Sequence, residues 1–263
     1  MTITPTNNIQ ASCALLMSLP PEFETCAQKI VAFLNERGLK IDKQIGGGAQ
    51  GVAFALVDSK TGKISSVLKT TTPGNPGITP FDPDQGSHLV ANLKHPNLCI
   101  PTEFFYVTPF KDLSFVPIPG STCIATIMPY IQSHSLGDDP QSIFDFGLQL
   151  AAALQVLAKN GLAHRDLARN IMVDEQGRPN IIDFDWCKRK KDPEKDVVSD
   201  QEYLRLILKA RIQISKENFE PSAAKFLQSC LDIATEEQLL SLTFMQNCLD
   251  HLEEIQKKPI SKL

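Results

Sequence analysis

The stretch that decides the fold is HRDLARNIMVDEQGRPNIIDFD, which runs from His164 to Asp185. Two short apolar runs in it surround a polar turn with a glycine, and this pattern predicts a β-hairpin. The hairpin would bring Asp183 close to Asn170, and a carboxylate together with an amide oxygen can chelate Mg²⁺. Asp166 adds a second carboxylate, which can accept or orient a hydroxyl proton. Alone, Asp166 could be a helix-end cap and Asp183 a turn residue, but their joint order favours chemistry.

A glycine-rich segment, GGGAQG at residues 46–51, lies upstream of this stretch. A GxGxxG motif alone is weak evidence, since it also occurs in tight turns. A dinucleotide-binding fingerprint would require a helix directly after it and an acidic residue about 20 positions later. Here strands are predicted on both sides, which favours a flap that covers phosphates with backbone N–H groups. Lys69, at the end of the third predicted strand, lies 18 residues after Gly51 and is well placed to hold phosphates.

In this order, the motifs resemble those of the eukaryotic-type protein kinase family from about residue 45 to residue 208. The resemblance implies ATP and Mg²⁺ as cofactors. Lys69 would contact the α- and β-phosphates, and Asp183 would bind the Mg²⁺ that bridges the phosphates. Asn170 would bind a second Mg²⁺, and Asp166 would receive or orient the proton of the substrate hydroxyl. Lys69, Asp166 and Asn170 are therefore the candidate catalytic residues, and Asp183 and Asn170 the candidate metal ligands.

The resemblance also implies a nucleotide pocket. The residues expected to line it are Gly46, Gly48, Gly51, Ala53, Val67, Lys69, Met128, Pro129, Ile131 and Met172. The glycines would cover the phosphates, and the backbone of Pro129 and Ile131 would bond the adenine edge. Ala53 and Val67 would lie above the adenine, with Met172 below it. The family usually has Val and Ala at the two upper positions, so here the sizes are exchanged.

The order of predicted elements indicates the fold class. Strands come first and helices second, with a strong helical period over residues 141–160, so we expect an α+β protein. It would have the bilobal protein-kinase-like fold, with a small β-rich N-lobe and a helical C-lobe. We expect an N-terminal extension with one helix at residues 1–40, the N-lobe at 41–131 and the C-lobe at 132–263.

The region between the third strand and the next ones departs from the family pattern. Residues 72–86 are rich in Pro, Gly and Asp, so a helix is predicted only from about Gln85 to Leu93. In the family this helix donates a Glu to the lysine that corresponds to Lys69. Asp84 and Gln85 are the nearest substitutes, so Lys69 would lack its usual ion pair or receive it from a partner chain.

Three further departures concern the stretch around the hairpin. Asn170 follows Asp166 by four residues instead of the family's five, which requires a tighter loop. Asp185 replaces the glycine of the DFG motif. The activation segment, from Asp183 to Asp200, is about half the usual length, and residues 184–198 contain no Ser, Thr or Tyr. The enzyme would then be constitutively active or switched by a partner.

Composition limits the class of protein. The chain has 263 residues, of which 42% are hydrophobic and 21% charged, which is typical of a packed globular protein and excludes collagen-like and disordered chains. The net charge of −4 argues against a basic nucleic-acid binder. Seven cysteines without CxxC spacing favour free thiols over a zinc site. The sequence contains no run of about 18 apolar residues, so no membrane span is predicted.

The resulting functional hypothesis is an ATP-dependent protein kinase, with Ser/Thr as the expected acceptor and tyrosine or dual specificity left open. Its short activation segment resembles that of small kinases that pathogenic bacteria deliver into host cells. That resemblance implies an effector with a host protein as substrate, an activating protein partner, and a cytoplasmic location in the producer or the host. The C-terminal Ser-Lys-Leu also matches a peroxisomal signal. Two alternatives remain open: a pseudokinase that acts as a nucleotide-binding scaffold, and a kinase-fold enzyme that acts on a small molecule.

Overall fold

A computed structural model describes residues 19, 23–48, 51–71, 81–118, 120–137, 139–189 and 200–214, together with 225, 228–232, 234 and 247. The chain divides into two compact units. The first comprises Met1–Ala91 and Ile100–Tyr130, and the second comprises Asn92–Cys99 and Ile131–Leu263. No helix in the described ranges is long and apolar enough to cross a membrane.

The first unit is built on an antiparallel sheet. Within the described residues its strands are β1 (Leu39–Gly48), β2 (Gly51–Asp58), β3 (Ile64–Thr71), β4 (Glu103–Val107), β5 (Leu113–Ser114) and β6 (Thr122–Pro129). Their order across the sheet is β1-β2-β3-β6-β4-β5. The predicted hairpin around the glycine-rich segment is confirmed, because β1 and β2 pair up to the contact of Gly48 with Gly51. The strand predicted at Phe115 ends one residue earlier, at Ser114.

Helix α1 (Glu24–Glu36) precedes the sheet and packs on one of its faces. The helix ends where Gly38 adopts a φ of +69°, a conformation that glycine reaches without a Cβ penalty. Its buried residues Cys26, Ala27, Ile30 and Leu34 are at most 1% exposed. They join a core cluster with sheet residues that include Phe54, Leu56, Leu68, Phe105, Ala125 and Ile127. The helix is therefore part of the core of the first unit.

The helix predicted from about Gln85 to Leu93 is wrong in extent. In its place the described chain forms a single 3₁₀ turn, Ser87–Val90. Gly86, with a φ of +121°, lies directly before the turn, and a bridge between Asp82 and Gln85 holds the preceding residues in a tight loop. This backbone is incompatible with a longer helix, because both features interrupt the helical conformation.

The second unit holds the longer helices and two short antiparallel strand pairs, of which one is a hairpin. Helices α2 (Pro140–Lys159) and α3 (Asp200–Ile214) are the two long helices of its described part, and residues 225, 228–232 and 247 are also helical. Strand β7 (Leu162–Ala163) pairs with β10 (Lys188–Arg189), and β8 (Ile171–Val173) pairs with β9 (Pro179–Ile181). The predicted hairpin and the helix over 141–160 are confirmed. Most of the helical region predicted after Ile214 lies outside the described residues. The α+β class and the β-first order are confirmed.

Residues 92–99 belong to the second unit, although the sequence interpretation placed them in the N-lobe. Two backbone hydrogen bonds explain their position, since Ile181 donates to the carbonyl of Asn97 and Cys99 donates to the carbonyl of Ile181, each at 2.8 Å. The side chain of Asn97 also donates to the carbonyl of Pro179 at 2.7 Å. This segment therefore runs beside β9.

Candidate active site

The loop from His164 to Asn170, which we call the catalytic loop after its candidate residues, brings two of these candidates into direct contact. The side-chain nitrogen Nδ2 of Asn170 donates to the backbone oxygen of Asp166 at 2.6 Å and to its carboxylate Oδ2 at 3.0 Å. Because two acceptors lie on the same side, the amide orientation is determined, and Oδ1 of Asn170 faces away from Asp166. The amide thus holds the Asp166 carboxylate, and its own oxygen is a candidate ligand atom.

The missing residue in this loop is accommodated by a tight turn. The backbone N–H of Asn170 donates to the carbonyl of Leu167 at 3.1 Å, which closes a four-residue turn. Leu167 is fully buried and anchors the turn from below. The shorter loop is thus a closed structure, and it holds Asn170 against Asp166.

The segment Asp183-Phe184-Asp185 is tied to the same loop. Ile182 donates its N–H to the carbonyl of Asn170 at 2.9 Å. The Nε2 of His164 lies 2.9 Å from the carbonyl of Ile182, while Nδ1 of the same ring accepts from the N–H of Asp166 at 3.3 Å. This pattern assigns the ring proton to Nε2. Asp183 therefore directly follows a residue that is bonded at both ends to the catalytic loop.

Phe184 and Asp185 define the conformation of this segment. The Phe184 ring is 1% exposed and packs edge-on against His164, with centroids 5.1 Å apart. Its carbonyl accepts from the N–H of Cys187 at 2.9 Å, which closes a turn over Asp185. Among the described residues other than glycine, positive φ occurs at Lys111, Arg165 and Asp183. Asp185 is not one of them, so this backbone does not require the glycine that it replaces.

Asp200, the first residue of α3, anchors the catalytic loop from the far side. Its carboxylate accepts from the N–H of His164 at 2.7 Å and from the N–H of Arg165 at 2.9 Å, and it is 6% exposed. Burial first, and the Asp200 carboxylate second, raise the pKa of the Cys187 thiol to about 12, so this thiol is neutral. The sequence interpretation placed Asp200 at the start of a helix but missed this role, because its partners lie 36 and 35 positions earlier in the chain.

The first unit places its candidate residues on one face of the sheet. Ala53 of β2 lies opposite Lys69 of β3, and Lys69 lies opposite Thr126 of β6. Val67 lies opposite Met128, two residues along each strand. Because directly opposed residues of antiparallel strands point to the same side, these five side chains share one face, which we call the Lys69 face. The buried Phe54, Leu56 and Leu68 alternate with them and point toward α1 instead.

Thr126 is a residue of this face that the sequence interpretation missed. It is 5% exposed and directly opposes Lys69. Counting back two positions from Met128 along the predicted strand would have found it, since alternate residues share a face.

The glycines of residues 46–51 have different environments. A Cβ on Gly51 would lie 1.8 Å from the carbonyl oxygen of Thr70, and its φ is +156°. Gly46 has room, with the nearest atom at 3.7 Å, and a Cβ on Gly48 would meet nothing within 4 Å. Sheet packing therefore requires glycine at position 51, whereas at 46 and 48 the fold leaves open space above the backbone.

The remaining predicted residues fall in both units. Pro129 ends β6 and lies opposite Ser66, and the unit boundary follows Tyr130. Ile131 and Met172 belong to the second unit, where Met172 pairs with Asn180 in the hairpin. Lys69 lies in the first unit, whereas the catalytic loop and Asp183 lie in the second.

The second unit offers oxygen ligands of the kind that Mg²⁺ takes. The candidate donors are the Asp183 carboxylate and the Asn170 amide oxygen, both hard oxygen atoms. Within the described ranges no group of three or more His, Cys, Asp or Glu residues forms a metal cage. Two protein ligands suit Mg²⁺ at a phosphate site, because this ion keeps waters and substrate oxygens in its shell. The residues therefore fit this ion.

Comparisons with known proteins identify the family to which the sequence is similar. The family model for the protein kinase domain matches residues 39–205, more than half of the chain. The mitogen-activated protein kinase HOG1 of Candida albicans is 28% identical over 151 residues, which are 57% of this chain and 38% of the relative. The human receptor tyrosine-protein kinase erbB-4 is 25% identical over 199 residues, which are 71% of this chain and 14% of the relative.

The serine/threonine-protein kinase ppk25 of Schizosaccharomyces pombe is 28% identical over 155 residues, 55% of this chain and 33% of the relative. The matches thus span well under half the length of these relatives. The family match covers all strands of the sheet, the glycine-rich hairpin, Lys69, the catalytic loop and the start of α3. The chain belongs to the protein kinase family, a family of phosphotransferases that use ATP.

Proposed function

We propose that this chain transfers the γ-phosphate of Mg·ATP to a serine or threonine hydroxyl of a protein. The observation that carries the proposal is the bonding of Asn170 to both the backbone oxygen and the carboxylate of Asp166, next to a segment that presents Asp183. Phosphoryl transfer depends mainly on positioning and on charge neutralisation. A carboxylate held by a neighbouring amide supplies the first of these requirements.

Each residue has a role that its chemistry supports. Asp166 would accept or orient the proton of the attacking hydroxyl through Oδ1, since Oδ2 is engaged by Asn170. Asp183 and the Asn170 oxygen would hold Mg²⁺, which supplies charge neutralisation at the phosphates when bound. Lys69 would bind phosphate oxygens through its ammonium group. Open backbone at Gly46 and Gly48 would let N–H groups approach the phosphates.

The acceptor and the regulation are further parts of the proposal. HOG1 and ppk25 are named as mitogen-activated and serine/threonine kinases, and erbB-4 as a tyrosine kinase, so identity alone does not select the acceptor. We favour Ser/Thr. Residues 184–198 contain no hydroxyl side chain for activating phosphorylation, so activity would be constitutive or set by a protein partner. An effector role in a host cell, with a host protein as substrate, fits this regulation.

The first experiment measures transfer of labelled γ-phosphate from Mg·ATP to a generic protein substrate, together with ADP release. The wild-type chain is compared with Asp183→Ala, which removes a metal ligand, and with Asp145→Ala, a matched change at an exposed aspartate of α2. We expect transfer in the wild type and the Asp145→Ala control and a loss of at least about 100-fold in Asp183→Ala. Full activity of a folded Asp183→Ala variant would overturn the site assignment.

A pseudokinase is the second candidate, and one observation favours it. The helix that provides the family's Glu partner for the lysine is reduced here to the turn Ser87–Val90. A scaffold of this type would bind ATP, which calorimetry measures. It would release no ADP from ATP, either as the purified chain or after addition of host lysate. ADP release that depends on Asp183 would contradict it.

A further inference from the structure

A groove lies on the surface of the first unit, on the α1 side of the sheet and not on the Lys69 face. It has a volume of about 610 Å³ and runs between α1 and the edge strand β5. Its lining includes Lys29, Ala32, Phe33 and Glu36 of α1 and, from the sheet edge, Leu113 and Phe115. The four residues from α1 follow the i, i+3, i+4, i+7 spacing of a single helix face. One helix face and one sheet edge thus form its walls.

The floor of the groove is aromatic. The Phe33 and Phe115 rings have centroids 5.1 Å apart, and both contact the buried Phe105, at 5.2 and 5.6 Å. Phe115 remains 49% exposed, and the neighbouring Val116 is 62% exposed. Exposed apolar side chains that adjoin one another in this way mark interaction surfaces more often than isolated ones do.

Of the charged side chains around the groove, two cations form ion pairs, whereas one carboxylate has no partner among the described residues. Lys29 pairs with Asp112 at 3.7 Å, and Arg37 pairs with Glu103 while stacking 4.1 Å above the centre of the Phe33 ring. Glu36 is exposed, and among the described residues no partner is recorded for its carboxylate. An occupant with an apolar side chain and an adjacent cation would therefore match the groove.

The same unit carries such a pair on the turn between β4 and β5. Phe110 is 86% exposed at the tip of this turn, and Lys111 follows it, exposed and without an ion-pair partner among the described residues. Hydrogen bonds between Thr108 and both Lys111 and Asp112 close the turn, and the Cys26 thiol of α1 donates to the carbonyl of Lys111. Phe110 is thus presented on a fixed turn.

We propose that the groove binds the Phe110-Lys111 turn of a second copy of this chain, and that the second copy binds the first in the same way. In a twofold dimer the same surface of each copy forms the contact, so the groove and the turn that enters the other copy's groove must lie side by side. Here the turn adjoins the groove, because Asp112 of the turn pairs with Lys29 of the groove. Lys29 and Glu36 are seven residues apart on α1, about 10 Å. Phe110 would enter the aromatic groove while Lys111 reaches Glu36 of the other copy.

The test is the association state of the full chain, measured by analytical ultracentrifugation over a concentration series. We expect a reversible dimer with a Kd of roughly micromolar order, since the contact is small. Phe110→Ser should raise that Kd about tenfold or more, because it removes the apolar anchor. Leu206→Ser is the matched control, since Leu206 is an apolar side chain of α3 that is 50% exposed; it should leave the Kd unchanged.

Charge reversal tests the polar contact. Lys111→Glu and Glu36→Lys should each weaken the dimer, and the double variant should recover it, whereas Lys159→Glu on α2 should have no effect. All substituted side chains are exposed, so circular dichroism should show unchanged folding. A wild-type chain that stays monomeric at 100-fold above the expected Kd would overturn the proposal, and so would a dimer that persists in Phe110→Ser. A monomer whose groove captures a basic aromatic peptide would identify a different occupant and also refute the dimer.

Discussion

Gly51 and Gly48 belong to the same glycine-rich motif, but different constraints act on them. At Gly51 a Cβ would overlap the carbonyl oxygen of Thr70, and the φ of +156° is one that other residues rarely adopt. At Gly48 a Cβ would meet nothing within 4 Å, and no positive φ is recorded. One glycine therefore serves the pairing of β2 with β3, whereas the other is open to a ligand.

We predict opposite outcomes for alanine at these two positions. Gly51→Ala should lower the free energy of unfolding by at least about 2 kcal/mol, because strain and overlap add. Gly48→Ala should leave unfolding nearly unchanged and weaken ATP binding, because its Cβ would face the nucleotide. Urea denaturation and calorimetric titration of ATP distinguish the two effects. A stable Gly51→Ala variant would show that the backbone shifts to absorb the Cβ.

At the scale of elements, the catalytic loop owes its shape to its length. The turn from Leu167 to Asn170 closes with a 3.1 Å hydrogen bond, and the amide of Asn170 then reaches Asp166. In the family an additional residue lies between these two positions. Local hydrogen bonds within the loop thus compensate for the deletion.

An alanine inserted after Ala168 should therefore reduce activity, although it restores the family's length. The insertion would open the Leu167–Asn170 turn and move the amide away from Asp166. We expect a fall of about 10-fold or more in kcat, with a smaller change in KM for ATP, since positioning of the hydroxyl is affected most. A rise in kcat would contradict this and show that the deletion impairs the enzyme.

Helix α2 depends on the cap at its first turn. The Asp139 carboxylate accepts from the N–H of Ser142 at 2.9 Å and also from the Ser142 hydroxyl. The hydroxyl bond first, and the backbone bond second, lower the pKa of Asp139 below its usual 3.8. A carboxyl with a lowered folded-state pKa contributes stability above its unfolded pKa and loses it as pH falls through the folded value.

Asp139→Ala should accordingly lower the free energy of unfolding by about 1 kcal/mol at pH 7. The difference from wild type should shrink as pH falls below about 4, where the wild-type carboxyl takes up its proton. Urea denaturation at pH 7 and pH 3 measures both values, with Asp145→Ala on the same helix as the control. Equal losses at the two pH values would assign the effect to packing instead of charge.

At the scale of the whole molecule, α1 lies outside the matched family region but packs into the core of the first unit. The family match begins at residue 39, so α1 (Glu24–Glu36) precedes it. Yet Ile30 is 0% exposed and lies in the same core cluster as Phe54 and Leu68 of the sheet. The helix covers the face of the sheet opposite the Lys69 face. It therefore stabilises the sheet that carries the candidate nucleotide residues.

Ile30→Ala should lower the free energy of unfolding by about 3 kcal/mol, since it leaves a cavity in the core. Gln28→Ala, at an exposed position of the same helix, should change it by less than about 0.5 kcal/mol. Thermal and urea denaturation of both variants measure the contrast. Equal stability of the two variants would show that α1 is a detachable extension.

The sequence by itself determined the elements and the order of the site. The strand–turn–strand pattern around the glycines placed Ala53 on a strand, and the next strand contained Val67 and Lys69. The polar turn before Asp183 indicated a second hairpin. The helix near residue 85 was overestimated, because a positive φ at Gly86 and a local bridge are not visible in apolar spacing. Local sequence patterns predict those elements whose stabilising interactions join residues that are close together in the sequence.

Only the tertiary structure decided which distant residues meet. Asp200 bonds to His164 and Arg165 across 36 and 35 positions, and α1 docks on strands that begin after it. Thr126 joins Lys69 because the sheet pairs β3 with β6 across two intervening strands in the sequence. A sequence lists residues in one dimension, whereas burial and strand register depend on how the chain folds back on itself. The candidate site residues could therefore be identified from the sequence, whereas the contacts that hold them depend on the tertiary packing.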